Sequence, residues 1–244
     1  NGDPVCVTAP SSRLKVLLFY DIDCSRCRIF TTMLDEMLAS DDPDIEFYAI
    51  YTGRDTLGWD AWRGKHFLTS KNSRSSIWNL WDPESESGFA LSYGVMQTPK
   101  MFLLDGTGTV IGRALTPQAL EYMLGLPLTR LSPVGSALPD IVVTGKMLRR
   151  RFGKVREKTQ KMSLSDLRNS VLFFYDEDCS SCREHIAHIP EYLSRNRGTK
   201  IFMVEAGPEF VTHFDLSVLP LLLRIDRRGL VGEKYLSIFE GGIL

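Results

Sequence analysis

Four of the five cysteines of this chain form two identical spacings, Cys24-Ser25-Arg26-Cys27 and Cys179-Ser180-Ser181-Cys182. Two thiols separated by two residues can close a ring disulfide and exchange it with another, or supply half of a tetrahedral zinc site. The zinc reading needs two further ligands for each pair. The histidines are His66, His185, His188 and His213. Only His185 and His188 share a helical spacing, and both read as surface residues, so no metal site is expected. Cys6 is left over and reads as a small buried hydrophobe, with a third redox thiol as the alternative.

Both dithiols need a scaffold that makes one sulfur nucleophilic. The thiolate is the reacting form, and an ordinary cysteine is mostly protonated at neutral pH. Before each pair stands an unbroken apolar run, Val16 to Tyr20 and Val171 to Tyr175, the pattern of a strand buried on both faces. After the first pair, Ile29, Phe30, Met33, Leu34, Met37 and Leu38 recur at helical spacing. The second pair is followed by Ile186, Ile189, Tyr192 and Leu193, with Pro190 expected to kink the helix. Each dithiol therefore stands where a central strand delivers the chain to a helix N-terminus. The positive end of the helix dipole favours the anion of Cys24 and Cys179. Cys27 and Cys182, one turn further on, are within reach to resolve a mixed disulfide. Asp23 and Asp178, just before each pair, oppose thiolate formation, and Arg26 inside the first loop favours it. These three are the expected tuning residues, with Cys24 more reactive than Cys179.

A second motif also occurs twice. Thr98-Pro99 opens the apolar strand Met101–Leu104, which ends in Asp105-Gly106, and Leu219-Pro220 opens Leu221–Ile225, which ends in Asp226 with Gly229 beyond. Each reads as a proline-headed strand followed by an antiparallel return. Thr116, Pro117 and Gly125 bracket a further helix as cap, first residue and terminator.

Strand, Cys-x-x-Cys, helix and proline-headed strand together resemble the thioredoxin superfamily, twice over. The segments Tyr93–Ile111, Pro139–Lys146 and Ser163–Leu167 resemble its TlpA-type extracytoplasmic branch. The resemblance implies an α/β fold: two tandem thioredoxin-like folds, each a central mixed sheet flanked by helices. It implies cis bonds at Thr98-Pro99 and Leu219-Pro220, facing the dithiols, with Thr98 and Leu219 free to pair with a substrate strand. It implies thiol:disulfide oxidoreductase activity with Cys24, Cys27, Cys179 and Cys182 as catalytic residues, no cofactor, protein thiols or disulfides as partners, an upstream electron donor, and an extracytoplasmic location. Several positions depart from the pattern. Asp23 and Asp178 replace the usual Trp, Ser-Arg and Ser-Ser replace Gly-Pro, and Leu18 and Phe173 stand where thioredoxin keeps a buried acid. The reaction class carries over; the redox poise does not. Asp21 and Asp176, where a peroxiredoxin has Thr, argue against peroxide chemistry.

The 244 residues suit two domains. The expected division is residues 1–126, a linker at 127–138 with three prolines counted from Leu126 to Pro139, and 139–244, minimal at its C-terminus. Residues 53–90 hold all four tryptophans and read as a helical insertion packed over the first sheet, or as a docking surface beside the dithiol. Lys146 to Lys161 is strongly basic and reads as a solvated hairpin tip, with an anionic membrane surface or acidic partner as the alternative. The net charge of −1 argues against nucleic acid as a partner, and no apolar run reaches the roughly 18–20 residues of a membrane span. The opening Asn1-Gly2-Asp3-Pro4 reads as a processed start, from which a targeting or membrane-anchoring segment has been removed. Two other functions fit the cysteines: a binding or adaptor protein with inactive dithiols, and a soft-metal (copper) carrier.

Overall fold

The structure is a computed structural model and describes residues 5–65, 73–83, 86–127 and 134–235. The chain divides into two compact units, Asn1–Thr129 and Arg130–Leu244.

The first unit is built on β1 (Leu14–Tyr20). Its apolar run leaves no face for water, so β1 takes the centre of a five-stranded sheet. The order is β3-β2-β1-β4-β5, with β2 at Ile45–Tyr51, β3 at Ser76–Trp81, β4 at Lys100–Leu104 and β5 at Val110–Arg113. β2 runs parallel to β1 and β3 parallel to β2, while β4 and β5 are antiparallel. α1 (Ser25–Asp41) is the crossover from β1 to β2 and buries Ile29, Phe30, Met33, Leu34, Met37 and Leu38. Of these, Leu34, Met37 and Leu38, with Cys27, cover the sheet face that carries Val16, Leu18 and Tyr20. Leu17 and Phe19 face the other way, into a cluster with Val7, Tyr48, Ile50 and Phe102. α4 (Pro117–Met123) is capped by the Thr116 hydroxyl, which accepts from Ala119 N–H.

The tryptophan-rich stretch is not simply helical. It contains α2 (Thr56–Arg63), the edge strand β3 and the short α3 (Phe89–Ser92). β3 forms because Ile77, Trp78, Leu80 and Trp81 can half-bury themselves on the pleat beside β2, and Trp78 stacks on Tyr48 with ring centroids 4.8 Å apart. The opening arm is also more fixed than its prolines and serines imply. Lys15, within β1, is fully buried, and its ammonium donates to the carbonyls of Val7, at 3.1 Å, and Ala9. Cys6 is exposed, which overturns its reading as a buried hydrophobe: the arm turns at Cys6–Ala9 and buries Val7 instead.

The second unit has six strands in the order β11-β10-β8-β9-β6-β7. β8 (Ser170–Tyr175) and β9 (Lys200–Glu205) are parallel and joined by α5 (Ser180–Arg195). β10 (Leu221–Ile225) and β11 (Val231–Tyr235) continue antiparallel on one side. On the other side, β6 (Val142–Arg151) and β7 (Lys154–Ser163) form a long hairpin whose first strand pairs antiparallel with β9. The basic segment is therefore regular strand along most of its length, not a tip. Gly135 to Ala137, within the expected linker, are bonded to Leu230 and Val231 at β11. Pro190 lies inside α5 without ending it. The expected loss of a final helix concerns residues outside the described ones.

Candidate active site

At the C-terminal end of β1 the chain leaves the sheet through an Asp-x-Asp turn. The Asp21 carboxylate accepts from Asp23 N–H at 3.0 Å. Asp176 does the same for Asp178 in the second unit, at 2.8 Å. This is the Asx turn that short carboxylates make with the backbone two residues on. It releases each chain into a helix whose N-cap is the first cysteine, Cys24 for α1 and Cys179 for α5. Cys24 Sγ accepts from Cys27 N–H at 3.2 Å, and Cys179 Sγ from Cys182 N–H at the same distance. A sulfur thus takes the place of the usual oxygen cap, satisfying one orphan N–H of the first turn. The first cysteine of each pair is part-exposed and the second is buried.

Across from each dithiol lies a proline loop. The bonds Thr98-Pro99 and Leu219-Pro220 are cis. Cys24 S–H points to the carbonyl of Thr98 at 3.7 Å, and Cys179 S–H to that of Leu219 at 3.9 Å. Residues 74 and 40 positions apart in sequence are thus brought together at the ends of the strands. Each unit has the thioredoxin-like fold. The parallel pair joined by one helix, the antiparallel proline-headed strand and the Cys-x-x-Cys at the helix N-terminus together define it in this chain.

The two sulfurs of the first pair are electrostatically unlike. The Cys24 thiol is lowered from its ordinary value to about 6. The largest cause is the hydrogen bond from the Cys27 thiol, helped by the backbone N–H groups of Cys27 and Arg26 and opposed by partial burial. Arg26 thus acts through its backbone. The Cys27 thiol is pushed far up by burial first, then by its bond to Cys24. In the second pair, Cys182 is raised to about 12 by burial, then by its bond to Cys179, with the Asp176 carboxylate adding a little. Asp23, Arg26 and Asp178, expected to tune the sulfurs, are all exposed side chains at the loop surface.

The surroundings of the two pairs differ. Beneath Cys24, Trp59 donates its indole N–H to the Tyr20 hydroxyl at 2.7 Å, and Trp62 packs over Tyr20 at 4.8 Å. The first turn of α2 leans on the active-site loop: a Cβ at Gly58 would come within 3.1 Å of Ile22. Thr98 and Pro99 are half-buried, and beside them Met96 is 84% exposed. In the second unit Leu219 is only 8% exposed and Pro220 is buried. Phe174 packs on Phe210 and Phe214 on the sheet below. His185, expected at the surface, is buried and donates Nδ1–H to the Ser181 carbonyl at 2.6 Å. It holds the first turn of α5, and its position one turn past Cys182 was the available signal. His188 stays at the surface beside Glu191. Asp21 and Asp176 shape both loops and were missed as site residues, although the repeated Asp-x-Asp-Cys carried the signal. Among the described residues no group of three or more His, Cys, Asp or Glu is placed to hold a metal ion, and no helix is long and apolar enough to cross a membrane.

No protein-family model and no curated protein matches the chain. Solved structures do. The thioredoxin domain of a thiol-disulfide oxidoreductase from Bacteroides vulgatus is 19% identical with a TM-score of 0.36, over 47% of this chain and 78% of that one. A secreted disulfide oxidoreductase of Mycobacterium tuberculosis, described as homologous to E. coli DsbE, is 21% identical with a TM-score of 0.37, over 47% and 81%. A thiol:disulfide interchange protein from a Bacteroides species is 19% identical with a TM-score of 0.37, over 46% and 71%.

Proposed function

We propose that the chain is a thiol:disulfide oxidoreductase whose working dithiol is Cys24–Cys27. The observation that carries this reading is the asymmetry of that pair: a part-exposed sulfur held near pKa 6 beside a buried one held protonated. The Cys24 thiolate attacks one sulfur of a substrate disulfide, forming a mixed disulfide and expelling the other sulfur as a thiolate. Cys27 then attacks Cys24 Sγ, closing the Cys24–Cys27 disulfide and releasing the second substrate thiol. Two electrons pass to the substrate, one proton comes from Cys27 and one from solvent. A thiol donor upstream must restore the dithiol. Thr98 and Pro99, beside Cys24, are where an extended substrate strand would lie. Cys179 and Cys182 are assigned the same two roles in the second unit, with Leu219 and Pro220 as their loop.

A second reading applies to that unit alone. The burial of Leu219 and Pro220 favours a dithiol that serves as a slower partner site or a structural element. The resemblance to the TlpA-type branch supports an extracytoplasmic setting, with protein thiols and disulfides as the partners.

Trapping tests the assignment. Cys27→Ser should accumulate a mixed disulfide through Cys24 when incubated with a reducible protein, and Cys24→Ser should not. Equal trapping by the two variants would sink the division of roles, and no trapping by either would leave the adaptor reading in its place.

A further inference from the structure

The second unit carries a cluster of cations that its dithiol chemistry does not use. The register of β8, β9, β6 and β7 sets Ser170 opposite Lys200, Lys200 opposite Arg149, and Arg149 opposite Arg156. Directly paired residues point to the same face, with Cβ atoms roughly 4.5–5.5 Å apart. One rung of the sheet therefore holds three positive side chains in a row, an arrangement that destabilises a sheet when nothing neutralises it. Among the described residues, Arg149, Lys158 and Lys200 make no ion pair or side-chain hydrogen bond. Arg168 is held at the rim by donating to the carbonyls of Ser165 and Leu167, at 2.6 and 2.7 Å.

Arg149, Lys158, Arg168 and Lys200 line a cavity of about 340 Å³, and among the described residues Asp166 is the one acid in its lining. The cavity contains a second, independent sign of a ligand. Ser170 is 2% exposed, lines the cavity, and its hydroxyl has no hydrogen-bond partner. A buried hydroxyl is ordinarily satisfied. The site is not part of the dithiol centre: Ser170 begins β8 and the dithiol lies beyond its other end, about 17 Å away at strand rise.

We propose that this cavity binds a phosphate-type oxyanion, carried by a small phosphorylated molecule or by a phospholipid headgroup. Donors converge from Arg149, Lys158, Lys200 and the Ser170 hydroxyl. A carboxylate offers two oxygens, whereas a phosphate offers three strong acceptors and more charge, and Arg is suited to gripping them in pairs. The volume sits at the lower end of small-molecule sites, which span roughly 300–1,000 Å³, so it accommodates the phosphate together with part of what bears it.

The test is calorimetric titration of the full chain with inorganic phosphate and pyrophosphate, paired with flotation on phosphatidylcholine vesicles with and without phosphatidylglycerol. Saturable one-to-one binding of pyrophosphate is expected, weakening as salt rises. Arg149→Gln with Lys200→Gln should weaken it more than about tenfold, as loss of charge-assisted bonds implies. Ser170→Ala keeps every cation, should melt no lower than the parent chain, and should weaken binding severalfold. Pyrophosphate binding without vesicle binding supports a soluble phosphorylated ligand. Vesicle binding that pyrophosphate displaces supports a headgroup. The proposal is overturned if neither probe binds, if the variants bind as tightly as the parent, or if polyglutamate binds more tightly than pyrophosphate.

Discussion

The two dithiols share their backbone frame down to the Asp-x-Asp turn and the sulfur cap, yet their surroundings diverge. In the first unit the proline loop is half-buried and flanked by the exposed Met96, with α2 leaning on the active-site loop. In the second, Leu219 and Pro220 are buried, and the sheet is extended instead by the β6–β7 hairpin. One frame has been elaborated beside its sulfurs and the other at its far edge. A Cys-x-x-Cys at a helix N-terminus supplies reactivity, while the segments that flank the frame set access to it. On this view the first unit does most of the work on protein substrates.

That ordering can be broken directly. Replacing both cysteines of the first pair by serine should reduce reduction of a protein disulfide to background. The same change at Cys179 and Cys182 should leave it within about threefold, a difference well under 1 kcal/mol. Comparable losses from both would abolish the contrast.

The aromatic floor is the next largest effect. Trp59→Ala removes a buried indole and its bond to Tyr20, and should cost about 3–5 kcal/mol in the first unit, read as an earlier unfolding transition. Trp59→Phe should cost about 1–2 kcal/mol, because it leaves the Tyr20 hydroxyl short of a donor.

Access predicts a split between substrates. Met96→Asp should lower kcat/KM for a protein disulfide by about tenfold, the worth of one apolar side chain covered on binding. A small-molecule disulfide should be nearly unaffected. An equal loss with both would mean that Met96 acts on the sulfur rather than on docking.

The pH dependence sharpens the same comparison. Alkylation of Cys24 should rise through about pH 6 and level off above it, because the thiolate reacts and its pKa lies there. Stability has a definite sign as well: a depressed folded pKa stabilises the reduced unit fully above about pH 9, and that gain is lost as pH falls through about 6. The melting temperature of the reduced chain, measured against Cys24→Ser, should show it. A faster reaction at Cys179 than at Cys24 near neutrality would reverse the ordering.

Arg26→Gln should matter least. Its side chain is exposed, and a surface charge contributes about 0–1 kcal/mol, so the Cys24 alkylation rate should change by less than about fivefold. A larger change would return the guanidinium to the role its place in the sequence suggested.

Much of the frame was legible because it is local. The runs Val16–Tyr20 and Val171–Tyr175 can only be central strands, and a cysteine pair directly after them can only sit at the helix start. Thr116, Pro117 and Gly125 mark both ends of α4. The features that escaped depend on tertiary neighbours. β3 is an edge strand, half-buried and without clean alternation, so its tryptophans read as a helical insertion. The β6–β7 hairpin has cations on both faces and owes its regularity to β9, not to its own pattern. Exposed Cys6 and buried His185 went against their residue-type averages because the turn at Cys6–Ala9 and the Ser181 carbonyl decide them. Lys15 was hidden inside an otherwise apolar strand, since nothing nearby in sequence announces the two carbonyls that receive it.

That lysine has a consequence for how the first unit opens. The arm at residues 5–13 has no regular secondary structure and would ordinarily fray on its own. Here, lifting it away would break both bonds of the Lys15 ammonium to the arm and uncover Val7, which is clustered with Leu17 and Phe19, at a cost of several kcal/mol. The arm therefore belongs to the same cooperative unit as β1. The amide of Ser11, bonded to the Gly106 carbonyl at 2.8 Å, should exchange its hydrogen in step with the amides of the central strand rather than at the rate of a chain end.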